Sequence, residues 1–90
     1  MTHLDLFTSA LTKCQRYSTE EPGSWLWPSL VEQLSYLVEL ASGRSSDTTR
    51  LAKVCVGAMA AKNIEDRDAE LANTLYDVQA AAQQMMNAGR

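Results

Sequence analysis

The sequence predicts an all-α protein that folds as a compact antiparallel bundle of four helices. Apolar residues recur at spacings of three and four in four segments, and no segment alternates apolar and polar residues as a half-buried strand does. The connections between these segments are short and polar, which favours antiparallel packing of neighbouring helices. A chain of 90 residues has room for one hydrophobic core, so we expect a single domain over residues 1–90.

The first two predicted helices cover residues 3–17 and 25–42. An amphipathic stripe defines the first helix, and a polar stretch with proline and glycine ends it. Ser24 is the expected N-cap of the second helix, because serine at that position accepts a backbone N–H bond; the alternative start is Pro28. Gly43 follows its last turn, where glycine suits a left-handed backbone.

The third predicted helix covers residues 47–62, with Ser46 or Asp47 as its N-cap. Its stretch from residue 52 to residue 61 is almost wholly apolar or small, so we expect this helix to be central in the bundle. Gly57 lowers helix propensity there, which indicates a close helix crossing.

The fourth predicted helix covers residues 69–86. Asp68 is its expected N-cap, and Glu70 places a negative charge in the first turn, where it complements the helix dipole. An apolar stripe at heptad-like spacing runs along this helix, and it spans too few heptads for a coiled coil with another chain.

The predicted core includes residues from all four helices, and both cysteines are interpreted as buried core thiols. The core positions singled out are Leu34, Leu51, Cys55, Leu75 and Val78, with Cys14 on the stripe of the first helix. Because no export signal is recognisable, we expect a reducing, cytoplasmic location in which a disulfide between the cysteines is disfavoured.

Composition argues against several classes of protein. The net charge of −3 and the lack of a basic run disfavour nucleic-acid binding, which needs a concentrated basic face. No stretch approaches the apolar length of a membrane span.

The sequence also offers no recognisable catalytic, metal or cofactor site. His3 is the only histidine, so a nucleophile has no histidine base in a structured segment. The acidic residues of 20–21 and 65–70 lie in predicted loops or at helix starts, where charges are solvated. The glycines are scattered and form no phosphate-binding loop. We therefore predict a protein that is not an enzyme and that has neither a metal nor a cofactor.

Two features of the second helix favour a role in binding another protein. Glu32, Ser35, Tyr36 and Glu39 share the side away from the apolar stripe, so a tyrosine is predicted to be displayed between two carboxylates. This pattern is also that of an ordinary solvated face. Trp25 and Trp27 precede it, and either both cover the open end of the bundle or one anchors a partner.

From the second helix onward the sequence resembles a family of small all-helical immunity proteins that protect bacteria from type VI secretion toxins acting as NAD(P)+ glycohydrolases. The residues that carry the resemblance, in ungapped register, are Gln33-Leu34, Tyr36, Arg44-Ser45, Asp47, Leu51, Gly57, Ala60, Lys62, Asp68, Glu70-Leu71, Leu75 and Asp77. The resemblance covers about the last two-thirds of the chain.

The resemblance implies a protein that binds its cognate toxin domain in the cytoplasm and blocks the dinucleotide site. In that role Tyr36 is expected to enter the toxin's cleft, and Glu32 and Glu39 to meet its basic groups, with Trp25 and Trp27 extending the surface. The alternative function is a helical secretion chaperone or adaptor, which binds a partner without inhibiting it.

Overall fold

The computed structural model describes residues 2–88, which form four α-helices and one short 3-10 helix without strands. The α-helices are α1 (His3–Glu20), α2 (Leu26–Ala41), α3 (Val56–Asn63) and α4 (Ala69–Ala88), and the 3-10 helix is Leu51–Lys53. The all-α bundle predicted from the sequence is confirmed. The predicted limits of α1, α2 and α4 lie within three residues of the observed ones.

Local side-chain caps explain where two of these helices begin. Thr2 accepts a hydrogen bond from the Asp5 N–H (3.1 Å) at the start of α1, and Asp68 accepts one from the Leu71 N–H (3.0 Å) at the start of α4. The N-cap position of α2 is Trp25, which makes no side-chain cap bond, while Ser24, one residue earlier, accepts the Leu26 N–H (3.2 Å). The predicted N-cap at Asp68 is therefore confirmed, whereas the predicted N-cap at Ser24 lies one residue before the observed one.

The core lies where α1 packs against α2 and α4, and where α3 packs against α4 and α2. Its largest fully buried side chains come from all four helices and the turn after α3: Phe7, Cys14, Trp27, Leu30, Leu34, Leu37, Val56, Ile64, Leu71, Leu75 and Val78. Of the predicted core positions, Leu34, Leu51, Leu75 and Val78 are buried, as is the Cys14 thiol, whose pKa burial raises to about 12.

The predicted third helix over residues 47–62 is wrong. Asp47 forms a local turn instead of a helix cap, its carboxylate accepting hydrogen bonds from the N–H and hydroxyl of Thr49 (3.0 and 2.6 Å). The 3-10 helix follows. Val54 then adopts an extended conformation (φ −67°, ψ 123°), which separates the 3-10 helix from α3. Cys55, predicted to be buried, is exposed because α3 begins only after this break.

Two glutamines from neighbouring helices stabilise the break. Gln33 of α2 accepts the Cys55 N–H (2.8 Å), while Gln79 of α4 accepts the Gly57 N–H (3.1 Å) and donates to the Val54 carbonyl (2.9 Å). These side chains supply hydrogen bonds that a continuous helix would have made within its own backbone. The break is therefore a consequence of tertiary contacts that local sequence patterns do not contain.

The helix α3 is short and peripheral, so its predicted central position is also wrong. Ala58 and Ala61 on its outer side are exposed, and its inner side packs on α4. The close crossing predicted at Gly57 is confirmed, since a Cβ atom there would lie 3.0 Å from the Gln79 Cβ atom.

Candidate protein-binding surface

The outer side of α2 carries a continuous line of solvent-facing residues, here called the α2 stripe: Trp25, Pro28, Glu32, Ser35 and Glu39. Trp25 directly precedes α2 and has helical backbone angles (φ −75°, ψ −24°), so it continues the helical phase. Trp25, Glu32 and Glu39 are seven residues apart and therefore lie on one side over about 20 Å of helix.

The stripe combines an apolar end with an acidic remainder. Trp25 is 67% exposed, and within residues 2–88 no other large hydrophobic side chain is exposed. Within residues 2–88, Glu32 forms an ion pair with Arg50 (3.3 Å), whereas Glu39 forms no ion pair. An exposed tryptophan is costly in water and is typical of binding surfaces, where its flat ring provides contact area with little loss of side-chain entropy.

Trp27 does not belong to this surface, and the expectation that it extends the exposed patch is wrong. Its side chain is fully buried, and its ring stacks on the ring of Tyr17 at a centroid distance of 4.3 Å and an interplanar angle of 7°. The indole N–H donates to the Glu21 carboxylate (3.2 Å), which satisfies its polar atom at the edge of the core. The two tryptophans thus lie in different environments, a point that the sequence left open.

Charged groups close the end of the bundle around Trp27. The Arg67 guanidinium donates two hydrogen bonds to the Glu21 carboxylate (3.2 and 2.6 Å) and lies over the rings of Tyr17 and Trp27 (5.4 and 5.8 Å). These bonds from Arg67, and then the one from Trp27, lower the pKa of Glu21. Because Glu21 precedes the loop that leads to Trp25, this network fixes the base from which Trp25 projects.

Tyr36 is buried, so the prediction that it is displayed between two carboxylates is wrong. Only 8% of it is exposed; its hydroxyl donates to the Asp47 carbonyl (2.7 Å), and the Arg50 guanidinium lies 4.9 Å from the ring centroid. The helical wheel placed Tyr36 outside because it contained no information on the connection after α2, which folds back over this position. Burial raises the pKa of the Tyr36 hydroxyl.

The same folding back of the chain creates a cleft beside Glu32. The α2 cleft, with a volume of about 200 Å³, lies between α2 and the 3-10 helix. Its lining residues are Ser29, Glu32, Gln33, Tyr36, Arg50, Lys53 and Val54. The cleft therefore joins one residue of the α2 stripe to two cations from the connection after α2.

Residues 2–84 match the sequence profile of the Tsi6 family. The chain belongs to the Tsi6 family, which is a family of type VI secretion immunity proteins. The comparison extends the resemblance seen in the second helix and beyond to α1, and nearly the whole chain is now covered. No curated protein and no solved structure matches the chain.

Membership of the Tsi6 family implies a cognate toxin as the binding partner. Of the residues that sequence reasoning placed on the binding surface, the structure leaves Trp25, Glu32 and Glu39 exposed and Ser35 partly exposed. Within residues 2–88 no helix has the length and apolar character needed to cross a membrane.

Sequence reasoning missed Arg50 and Lys53, because both lie in a segment that was predicted to be part of a continuous helix. The signal that could have identified them is the polar run of residues 44–50, which is long and hydrophilic enough for a connection that returns over α2.

Proposed function

We propose that this chain is an immunity protein that binds a cognate NAD(P)+ glycohydrolase toxin in the cytoplasm and inhibits it by covering its active site. The observation that carries the immunity role is the match to the Tsi6 family over residues 2–84. The glycohydrolase class of the toxin is supported by the resemblance of the α2 to α4 region to immunity proteins of such toxins. Gln33 and Gly57 belong to this resemblance, and both take part in the hydrogen bonds at the start of α3.

The α2 stripe is the proposed contact surface. Trp25 supplies an apolar anchor, while Glu32, Ser35 and Glu39 present carboxylates and a hydroxyl to a basic partner surface. A site that binds dinucleotide phosphates is such a surface, because it needs positive groups or N–H donors to hold the phosphates. An acidic stripe placed over these groups competes for them and excludes the substrate.

The direct test is a titration of purified chain into the toxin domain encoded by the neighbouring gene, with NAD+ hydrolysis as the readout. We expect hydrolysis to fall in proportion to added protein and to stop at one equivalent. Tight binding without loss of hydrolysis would identify an adaptor or chaperone instead. If the chain neutralises a toxin that leaves NAD+ intact, the immunity role stands and the proposed NAD(P)+ glycohydrolase class of the toxin is refuted.

The contact surface is tested separately by Trp25→Ala and Glu39→Lys. Trp25→Ala should weaken the complex by about 2 kcal/mol or more, because truncating an interface tryptophan removes a large buried contact. Glu39→Lys should mainly slow association at low salt, because exposed charges steer the encounter. Asp77→Lys on the exposed side of α4 is the matched charge control. Equal effects of Asp77→Lys and Glu39→Lys, with no effect of Trp25→Ala, would move the interface away from α2.

A further inference from the structure

The α2 cleft has a floor whose polar atoms are already engaged. The Tyr36 hydroxyl is bonded to the Asp47 carbonyl (2.7 Å), and the Gln33 carbonyl oxygen accepts the Cys55 N–H (2.8 Å). Buried Leu51 fixes the 3-10 helix against the core. The cleft is therefore preformed, and a partner group can enter it without reordering the chain.

The rim of the cleft differs in charge from the rest of the protein. Arg50 and Lys53 face one carboxylate, Glu32, so the rim has a formal charge of +1 on a chain of −3. The Arg50–Glu32 pair is long (3.3 Å), and its side chains are 47% and 74% exposed. Exposed pairs of this kind contribute little to stability, so Arg50 can be drawn to a better placed anion.

The ion pairs of residues 2–88 include no partner for Lys53. Lys53 lines the cleft together with Arg50, so it supplies a second cation there, and this one is not engaged in any of those ion pairs. A volume of about 200 Å³ is smaller than the roughly 300–1,000 Å³ of small-molecule sites, which favours a side-chain tip over a cofactor or nucleotide as the occupant.

We propose that the α2 cleft receives an aspartate or glutamate side chain of the toxin domain, which is bound by Lys53 and Arg50. The proposal rests on the proposed function and adds a second, oppositely charged element to it. The α2 stripe is acidic and the adjoining cleft is basic, so a matching toxin must present a basic surface with a carboxylate beside it. Alternating charges fix one docking register and reject toxins that lack the carboxylate.

The variant that tests this is Lys53→Glu, with Arg44→Glu as a matched control. Both residues are exposed cations of the connection after α2, and both substitutions change the net charge equally, but Arg44 lies outside the cleft. At low salt Lys53→Glu should weaken toxin binding at least about tenfold, because the new glutamate would face the toxin's carboxylate and repel it. Arg44→Glu should have a small effect. Lys53→Gln should show a smaller loss in the same direction, and circular dichroism should show both cleft variants folded.

A charge exchange then identifies the occupant. Single Asp→Lys and Glu→Lys substitutions across the toxin domain, tested against Lys53→Glu, should include one that restores binding. Equal losses in Lys53→Glu and Arg44→Glu would overturn the proposal, as would unchanged affinity of Lys53→Glu or a loss that no toxin reversal restores. Inhibition by the wild-type chain is measured first, so failure of the proposed function is recognised independently of these outcomes.

Discussion

Replacing Gly57 with alanine should destabilise the protein, although alanine is the better helix former. In the structure an alanine Cβ atom would lie 3.0 Å from Cβ and 3.1 Å from Cγ of Gln79. Such contacts are too short, so Gln79 must move. Its side chain holds the Gly57 N–H (3.1 Å) and the Val54 carbonyl (2.9 Å), and both bonds are strained when it moves.

The expected magnitude follows from opposing contributions. Alanine gains at most about 1 kcal/mol of helix propensity, and less than that in the first turn of α3. Crowding in a well-packed site costs about 1–3 kcal/mol, and straining two hydrogen bonds that contribute about 1 kcal/mol each costs about half of their sum, or about 1 kcal/mol. We therefore expect Gly57→Ala to lower the free energy of unfolding by about 1–3 kcal/mol, with a fall of about 4–8 °C in Tm for each kcal/mol.

Urea unfolding followed by circular dichroism measures this change. Ala58→Gly, at the exposed neighbouring position, is the control, and it should cost no more than about 1 kcal/mol through propensity alone. Gln79→Ala should cost less in the Gly57→Ala background than in the wild type, because the glycine substitution has already weakened the same bonds. A Gly57→Ala protein as stable as the wild type, or more stable, would refute the close crossing.

Three further predictions concern the core, the tryptophans and acid stability. Leu75→Ala should lower the unfolding free energy by about 2–5 kcal/mol in urea unfolding, whereas Asp77→Ala on the exposed side of the same helix should change it by less than about 0.5 kcal/mol. Trp27→Ala should cost about 3–5 kcal/mol and Trp25→Ala almost nothing, and similar losses from both would contradict their different burial. A backbone N–H and then a tyrosine hydroxyl lower the pKa of Asp68, so its contribution to stability is present above the pKa of the unfolded chain, about 3.9, and is lost as pH falls through the lower folded value. The fall in Tm between pH 5 and pH 2 should accordingly be smaller in Asp68→Asn, which keeps a capping side chain.

The candidate site shows where sequence reasoning succeeds and where it fails. Glu32 and Glu39 were placed on the outer side of α2 by helical periodicity alone, and the structure leaves both exposed. Tyr36 shares nearly the same angular position but is buried, because the connection after α2 returns over it and accepts its hydroxyl hydrogen bond. A helical wheel gives the angular position of a residue on its own helix, and it does not show whether another segment of the chain covers that residue.

The family could also be predicted from the sequence, whereas the α2 cleft could not. The shared register of residues between Gln33 and Asp77, with Gly57 among them, carried a resemblance to immunity proteins, and the family match confirms that coarser assignment. The role of these residues became visible only in the structure, where Gln33 and Gly57 help to form the break before α3. Arg50 and Lys53 reach the cleft only because that break exists.

By itself the sequence determined the all-α fold with four α-helices, the limits of three of them and most of the core. These features follow from periodic burial, from caps such as Asp68 and from Gly43, whose positive φ of 83° allows the chain to leave α2. Only the tertiary structure decided the break at Val54 and the different burial of Trp25 and Trp27. The physical reason is that both depend on side chains from distant segments, Gln79 and Arg67 among them, whose hydrogen bonds and packing outweigh local helix propensity.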